Sequence, residues 1–109
     1  METSIVASIE LLCQLIATPS YSKEEADTAA ILANFFNQRE IAHWRKKNNV
    51  WAKNRHFDAK KPTLLLNSHH DTVKPVEGWT RHPFQAKVEE GKLYGLGSND
   101  AGGSLVSLI

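Results

Sequence analysis

Leu64-Leu65-Leu66-Asn67-Ser68-His69-His70-Asp71 passes from an apolar run straight into two histidines and a carboxylate. The leucines show no polar alternation, which suits a strand covered on both faces, as in a parallel α/β sheet. Open α/β sheets keep their sites beyond the carboxyl ends of such strands. Strand side chains repeat every two residues, so His69 and Asp71 share a side and His70 points the other way. That spacing suits a metal-binding imidazole whose second N–H is held by a neighbouring carboxylate.

Upstream, Ile5, Ile9, Leu12 and Ile16 fall at helical spacing, flanked by Leu11 and Leu15. They predict an amphipathic helix over residues 3–17, capped by Thr3 or Ser4 and ended before Pro19. Ser22-Lys23-Glu24-Glu25 has capping-box form and predicts a second helix to about Arg39, with Ala29, Leu32, Ala33 and Phe36 on one face. Strands are expected over 41–45 and 50–53, around an Asn48-Asn49 turn. An exposed loop follows over 54–62. Downstream, 72–83 reads as irregular, 84–88 and 92–94 as a hairpin around Glu90-Gly91, and 104–109 as the opening turns of a buried helix. The expected fold is α/β, with helices packed on a mostly parallel sheet. The apolar 104–109 segment has no C-capping glycine or asparagine, so residues 1–109 read as the front part of a longer polypeptide.

Composition narrows the function classes. At 109 residues the chain is one domain at most, with 41% hydrophobic and 23% charged residues, as in ordinary globular proteins. A net charge of +1 leaves no electrostatic footprint for nucleic acid. The densest basic run, Arg45-Lys46-Lys47, reads as a solvated strand end. The lone Cys13 rules out an internal disulfide and lies in an apolar helical pattern, where a buried thiol is expected. No basic n-region opens the chain, and residues 5–17 are too short and too interrupted to span a membrane. A soluble cytoplasmic protein is expected.

Asp100 is the other candidate site residue. It lies among Gly95, Gly97, Gly102 and Gly103, where the backbone either approaches something closely or takes positive φ. Two readings of it stand open on spacing alone: a carboxylate bridging metal ions, or a cap on the last helix. A phosphate loop is disfavoured, since the third glycine of a dinucleotide fingerprint and the lysine of a P-loop are both missing. His43, His56 and His82 read as structural or solvated, as do Trp44, Trp51 and Trp79 as packing residues. Glu89-Glu90 reads as hairpin surface.

Four ordered stretches carry a resemblance. Pro19-Ser20-Tyr21-Ser22-Lys23-Glu24-Glu25, His69-His70-Asp71-Thr72-Val73, Gly78-Trp79 with Pro83-Phe84, and Leu93-Tyr94-Gly95-Leu96-Gly97-Ser98-Asn99-Asp100 resemble motifs of the zinc-dependent M20 peptidase and deacylase family. Leu96 stands where that family carries arginine, and Ala101-Gly102 where it carries a hydrophobic residue and lysine. The resemblance implies that residues 1–109 are the amino-terminal part of the catalytic domain, with the remainder and a lid or dimerisation domain outside them. It implies that His69 ligates zinc, that Asp100 bridges two zinc ions, and that Asp71 is the catalytic carboxylate orienting His69. Cobalt or manganese would be substitutes. A cis peptide is implied at Asp100-Ala101.

The implied activity is removal of an acyl group from a small N-acyl amino acid, of acetylornithine-deacetylase type in arginine biosynthesis, by a cytoplasmic homodimer. A dipeptidase or carboxypeptidase of the same family is the near alternative; a non-catalytic binding module is the distant one. The family's catalytic glutamate and remaining ligands fall beyond Ile109, so residues 1–109 alone are expected to be inactive and prone to self-association.

Overall fold

The computed structural model describes residues 2–109, with side chains described from Ser4 onward. It has three helices and two small antiparallel sheets. Helix α1 spans Glu2–Ala17, so Ser4 lies inside it rather than at its cap, and the side chain of Thr3 lies outside the described residues. Its carboxyl half carries the core: Leu11, Leu12, Leu15 and Ile16 are buried with Leu32 and Val106. Its amino half does not. Ile5, Val6 and Ile9 remain exposed, because the elements packing on α1 close only over Leu11–Ile16. The helix stops ahead of Pro19, where the Thr18 hydroxyl donates to the Gln14 carbonyl.

Helix α2 spans Ala26–Gln38 and buries Thr28, Ala29 and Leu32. The expected capping box does not form. The N-cap position falls at Glu25 with no side-chain cap hydrogen bond, and the Ser22 hydroxyl is used elsewhere. Strands β1 (His43–Lys46) and β2 (Asn49–Ala52) pair antiparallel, with Lys46 opposite Asn49. The turn therefore lies at Lys47-Asn48, one residue ahead of the expected position. On this hairpin Trp44 and Trp51 stack with ring centroids 6.4 Å apart. Strands β3 (Lys87–Glu89) and β4 (Lys92–Tyr94) form the second hairpin. Its turn residues Glu90 and Gly91 both have positive φ, as a two-residue type I′ turn needs. Helix α3 spans Gly103–Leu108 and packs on α1 through Val106.

The mostly parallel sheet expected around Leu64–Asp71 is the principal correction. Residues 64–70 form no strand ladder, and Leu64, Leu65 and Leu66 are 81%, 83% and 55% exposed. A strand buried on both faces needs a neighbour on each edge to satisfy its backbone groups. Here the described parallel pairing is one bridge, Tyr21 with Thr72. No described helix is long and apolar enough to cross a membrane.

An unpaired, leucine-rich segment is a template for edge-to-edge association. The isolated 109-residue chain is expected to self-associate, with light scattering showing a mass that rises with concentration. Leu65→Lys should lower that tendency; a concentration-independent monomer for both chains would refute it.

Candidate metal centre

The segment 68–72 has no sheet to hold it, so cross-chain hydrogen bonds do. The Thr72 N–H donates to the Ser20 carbonyl at 2.7 Å, and the Ser22 N–H donates to the Thr72 carbonyl at 3.2 Å. The buried Ser20 hydroxyl donates to the His70 carbonyl at 2.8 Å. The His70 ring turns away from His69, as the two-residue period requires, and is clamped at both nitrogens. Nε2 faces the Asn48 carbonyl at 2.8 Å, and Nδ1 faces the hydroxyl of fully buried Thr28 at 2.7 Å. A carbonyl only accepts, so Nε2 carries a proton. In the neutral ring, the single Thr28 hydroxyl proton then goes to Nδ1 rather than to the Glu25 carbonyl, which lies farther off at 3.2 Å.

That clamp presents His69 and Asp71 on the opposite side. His69 Nδ1 lies 3.1 Å from Asp71 Oδ1 and 3.2 Å from the Asp71 carbonyl. His69 Nε2 lies 3.1 Å from Asp100 Oδ1. The Ser22 hydroxyl donates to Asp71 Oδ2 at 2.8 Å. Both faces of His69 thus meet acceptors, which favours the imidazolium in the absence of a cation. Burial pulls the His69 pKa down. The Asp71 carbonyl outweighs it together with the charges of Asp71 and Asp100, and the net shift is above 6.5. Asp71 is held below 3.8, first by the Ser22 hydroxyl and then, against desolvation, by the charge of His69.

Asp100 comes from a loop shaped by glycine. Gly97 has φ +79°, and a Cβ there would sit 2.7 Å from Thr72 Cγ2. A Cβ on Gly102 would sit 2.6 Å from Leu12 Cδ1 and 2.7 Å from the Gly97 carbonyl oxygen. Both positions need glycine, as the sequence pattern suggested. Between them the turn Ser98–Gly102 departs from helical geometry at Asp100 and Ala101, joined by a cis peptide. Asp100 does not cap α3, whose N-cap position falls at Gly102.

The three site residues expected from sequence therefore come together, whereas His43, His82 and Glu89 lie elsewhere. His43 turns its Nδ1 to the Ile41 carbonyl, His82 accepts the Phe84 N–H, and Glu89 pairs with Arg81 on the second hairpin. Sequence reading gave Ser20, Ser22 and Thr28 no contact with His70 or Asp71, although Ser20 and Ser22 fall in one of the motif stretches. Nothing in the spacing could have found those contacts, since each partner lies more than 40 residues away. Among the described residues, no three His, Cys, Asp or Glu side chains converge on one point, because Asp71 occupies the far side of His69.

A groove of about 650 Å³ opens over the pair, with Tyr21, Lys74 and Trp79 among its walls.

The chain is also similar in sequence to known proteins. The sequence profile of Peptidase family M20/M25/M40 matches residues 65–109, the stretch that holds His69, Asp71 and Asp100. The match extends over nearly the whole chain in curated relatives. Succinyl-diaminopimelate desuccinylase of Xylella fastidiosa (strain M12) is 35% identical over 106 residues, covering 92% of this chain and 27% of the relative. The enzyme of the same name from Stenotrophomonas maltophilia (strain K279a) is 35% identical over 109 residues, covering 94% and 28%. That from Delftia acidovorans (strain DSM 14801 / SPH-1) is 30% identical over 112 residues, covering 94% and 29%. The chain belongs to the M20/M25/M40 peptidase family. It spans 27–29% of the length of these M20 relatives.

Two measurements test the site's physical description. Thr28→Val keeps the volume but leaves His70 Nδ1 without its partner, and should cost about 1–3 kcal/mol of stability in urea unfolding. In metal-free protein, His69 should titrate above 6.5 by NMR, and Asp71→Asn should lower its midpoint. The sign follows from linkage. A raised folded pKa gives stability that is full below 6.5 and is lost as pH rises through the folded midpoint.

Proposed function

We propose that the protein containing this chain is a metal-dependent amidohydrolase that releases an acyl group from a small N-acyl amino acid. The observation that carries the reading is the His69–Asp100 pair, set at the mouth of a groove with Asp71 on the other imidazole nitrogen. Two donors bound to one tetrahedral zinc at about 2.0–2.1 Å stand about 3.3 Å apart. His69 Nε2 and Asp100 Oδ1 stand 3.1 Å apart, so a small lateral adjustment would let both reach one cation. Nitrogen and carboxylate donors are a set that zinc takes readily. They make two corners of a coordination sphere; in this reading the others come from the rest of the protein, with residues 1–109 as the amino-terminal part of its catalytic domain.

His69 would give its Nε2 lone pair to the metal, and Asp100 its carboxylate. Asp71 acts through His69. It keeps the proton on Nδ1 and fixes the ring, and Ser22 fixes Asp71 in turn, which makes Asp71 a positioning residue. Zinc bound here would lower the pKa of a water ligand and polarise the scissile carbonyl.

Among acyl groups, the relatives are named for succinyl, whereas the motif resemblance implies an acetylornithine-deacetylase type. N-acyl amino acid is the substrate class that covers both. A cytoplasmic setting fits the free Cys13 thiol.

The test uses the whole protein. Wild type should carry close to two zinc ions and cleave N-acetyl or N-succinyl amino acids. Asp100→Ala should lose metal and at least about a hundredfold in turnover, and Asp71→Asn should lose about 10–100-fold in zinc affinity. A wild type that stays metal-free and inert with zinc supplied would overturn the reading.

A further inference from the structure

We infer that Lys74 is a specificity residue: its ammonium receives a carboxylate of the substrate in the groove beside His69 and Asp100. The inference rests on the hydrolase reading for its substrate class, but its physical basis is independent of turnover. The groove walls include two carboxylates, Asp71 and Asp100, both beside His69. A metal held by His69 and Asp100 would offset those charges where the acyl carbonyl binds, whereas a substrate carboxylate elsewhere in the groove still needs a cationic partner of its own. Lys74 is the single lysine or arginine among the lining residues.

Its surroundings suit that role. The Lys74 ammonium lies 5.7 Å from the centroid of the Tyr21 ring, which holds it over the groove wall without neutralising it. Tyr21 is itself fixed, through its bridge to Thr72 and a tilted contact with Phe84 at 6.2 Å. Among the described residues no carboxylate lies within ion-pair distance of Lys74, whereas Arg81 on the neighbouring hairpin is engaged by Glu89. Lys74 is also only three positions from Asp71 in a segment tied down at Thr72. The cation is therefore carried by the same backbone that carries His69. A ligand lying in the groove could meet His69 and Asp100 with a carbonyl and Lys74 with a carboxylate. Trp79 adds an apolar surface to the same groove.

A carboxylate on an N-acyl amino acid has two sources, the α-carboxylate and the far end of a dicarboxylic acyl group. Three probes separate them: N-acetylglycine has the first, N-succinylglycinamide the second, and N-acetylglycinamide neither. Binding of each to the zinc-loaded whole protein is measured by calorimetry for wild type, Lys74→Met and Lys74→Arg. Lys74→Met should weaken one carboxylate probe about tenfold or more, the size expected for loss of a charge-assisted contact, and leave N-acetylglycinamide unchanged. Lys74→Arg should restore most of the loss. The probe affected names the carboxylate. Equal affinities of wild type and Lys74→Met for both carboxylate probes would overturn the inference, as would a loss shared by the neutral probe. Failure of wild type to hydrolyse any N-acyl amino acid would count against the proposed function and leave this binding comparison standing.

Discussion

The structure depends on how a segment without a sheet is held in place. Residues 68–72 carry the site, and their position is set by hydrogen bonds to the 20–28 region and to the Asn48 carbonyl. Each such bond contributes modestly, about 1 kcal/mol net, but each donor or acceptor left unmade in this half-buried place would cost more. His70 is the centre of this arrangement. Its ring and its carbonyl are both engaged, so the flanking His69 and Asp71 have little freedom to swing. A histidine that never touches the site thus determines where the site's histidine points.

The second support is apolar. Leu12 reaches across to the backbone at Gly102, and α1 buries Leu11, Leu15 and Ile16 against the same end of the molecule. Asp100 is carried on a turn that can lie so close to α1 because glycine flanks it on both sides. The carboxylate itself is 88% exposed at the side chain, so its placement comes from the backbone below it and not from enclosure. His69, held from one direction by hydrogen bonds, meets Asp100, held from another by packing.

What could be read from the sequence follows the range of the forces involved. Local periodicity located both long helices, and Glu90-Gly91 located the second hairpin, because turn chemistry and helical spacing act within a few residues. The pairing of His69 with Asp71 was expected from residue type and the two-residue period, whereas glycine context alone left Asp100 open between a bridging and a capping role. The parallel sheet was not legible, since three leucines state a preference for burial but cannot supply the strands that would bury them. Ser22 failed for a related reason. Its local pattern is that of a helix cap, and a partner 49 residues away won the hydroxyl.

That diversion has a consequence for how the protein can change over time. One hydroxyl serves the carboxylate behind His69, and the start of α2 goes without a side-chain cap. Substitutions that supply a cap at Glu25 would strengthen the helix without touching the site, whereas drawing Ser22 back to the helix would strengthen it at the site's expense. Residues 22 and 25 should therefore drift under different pressures, the first fixed by chemistry and the second free to follow stability.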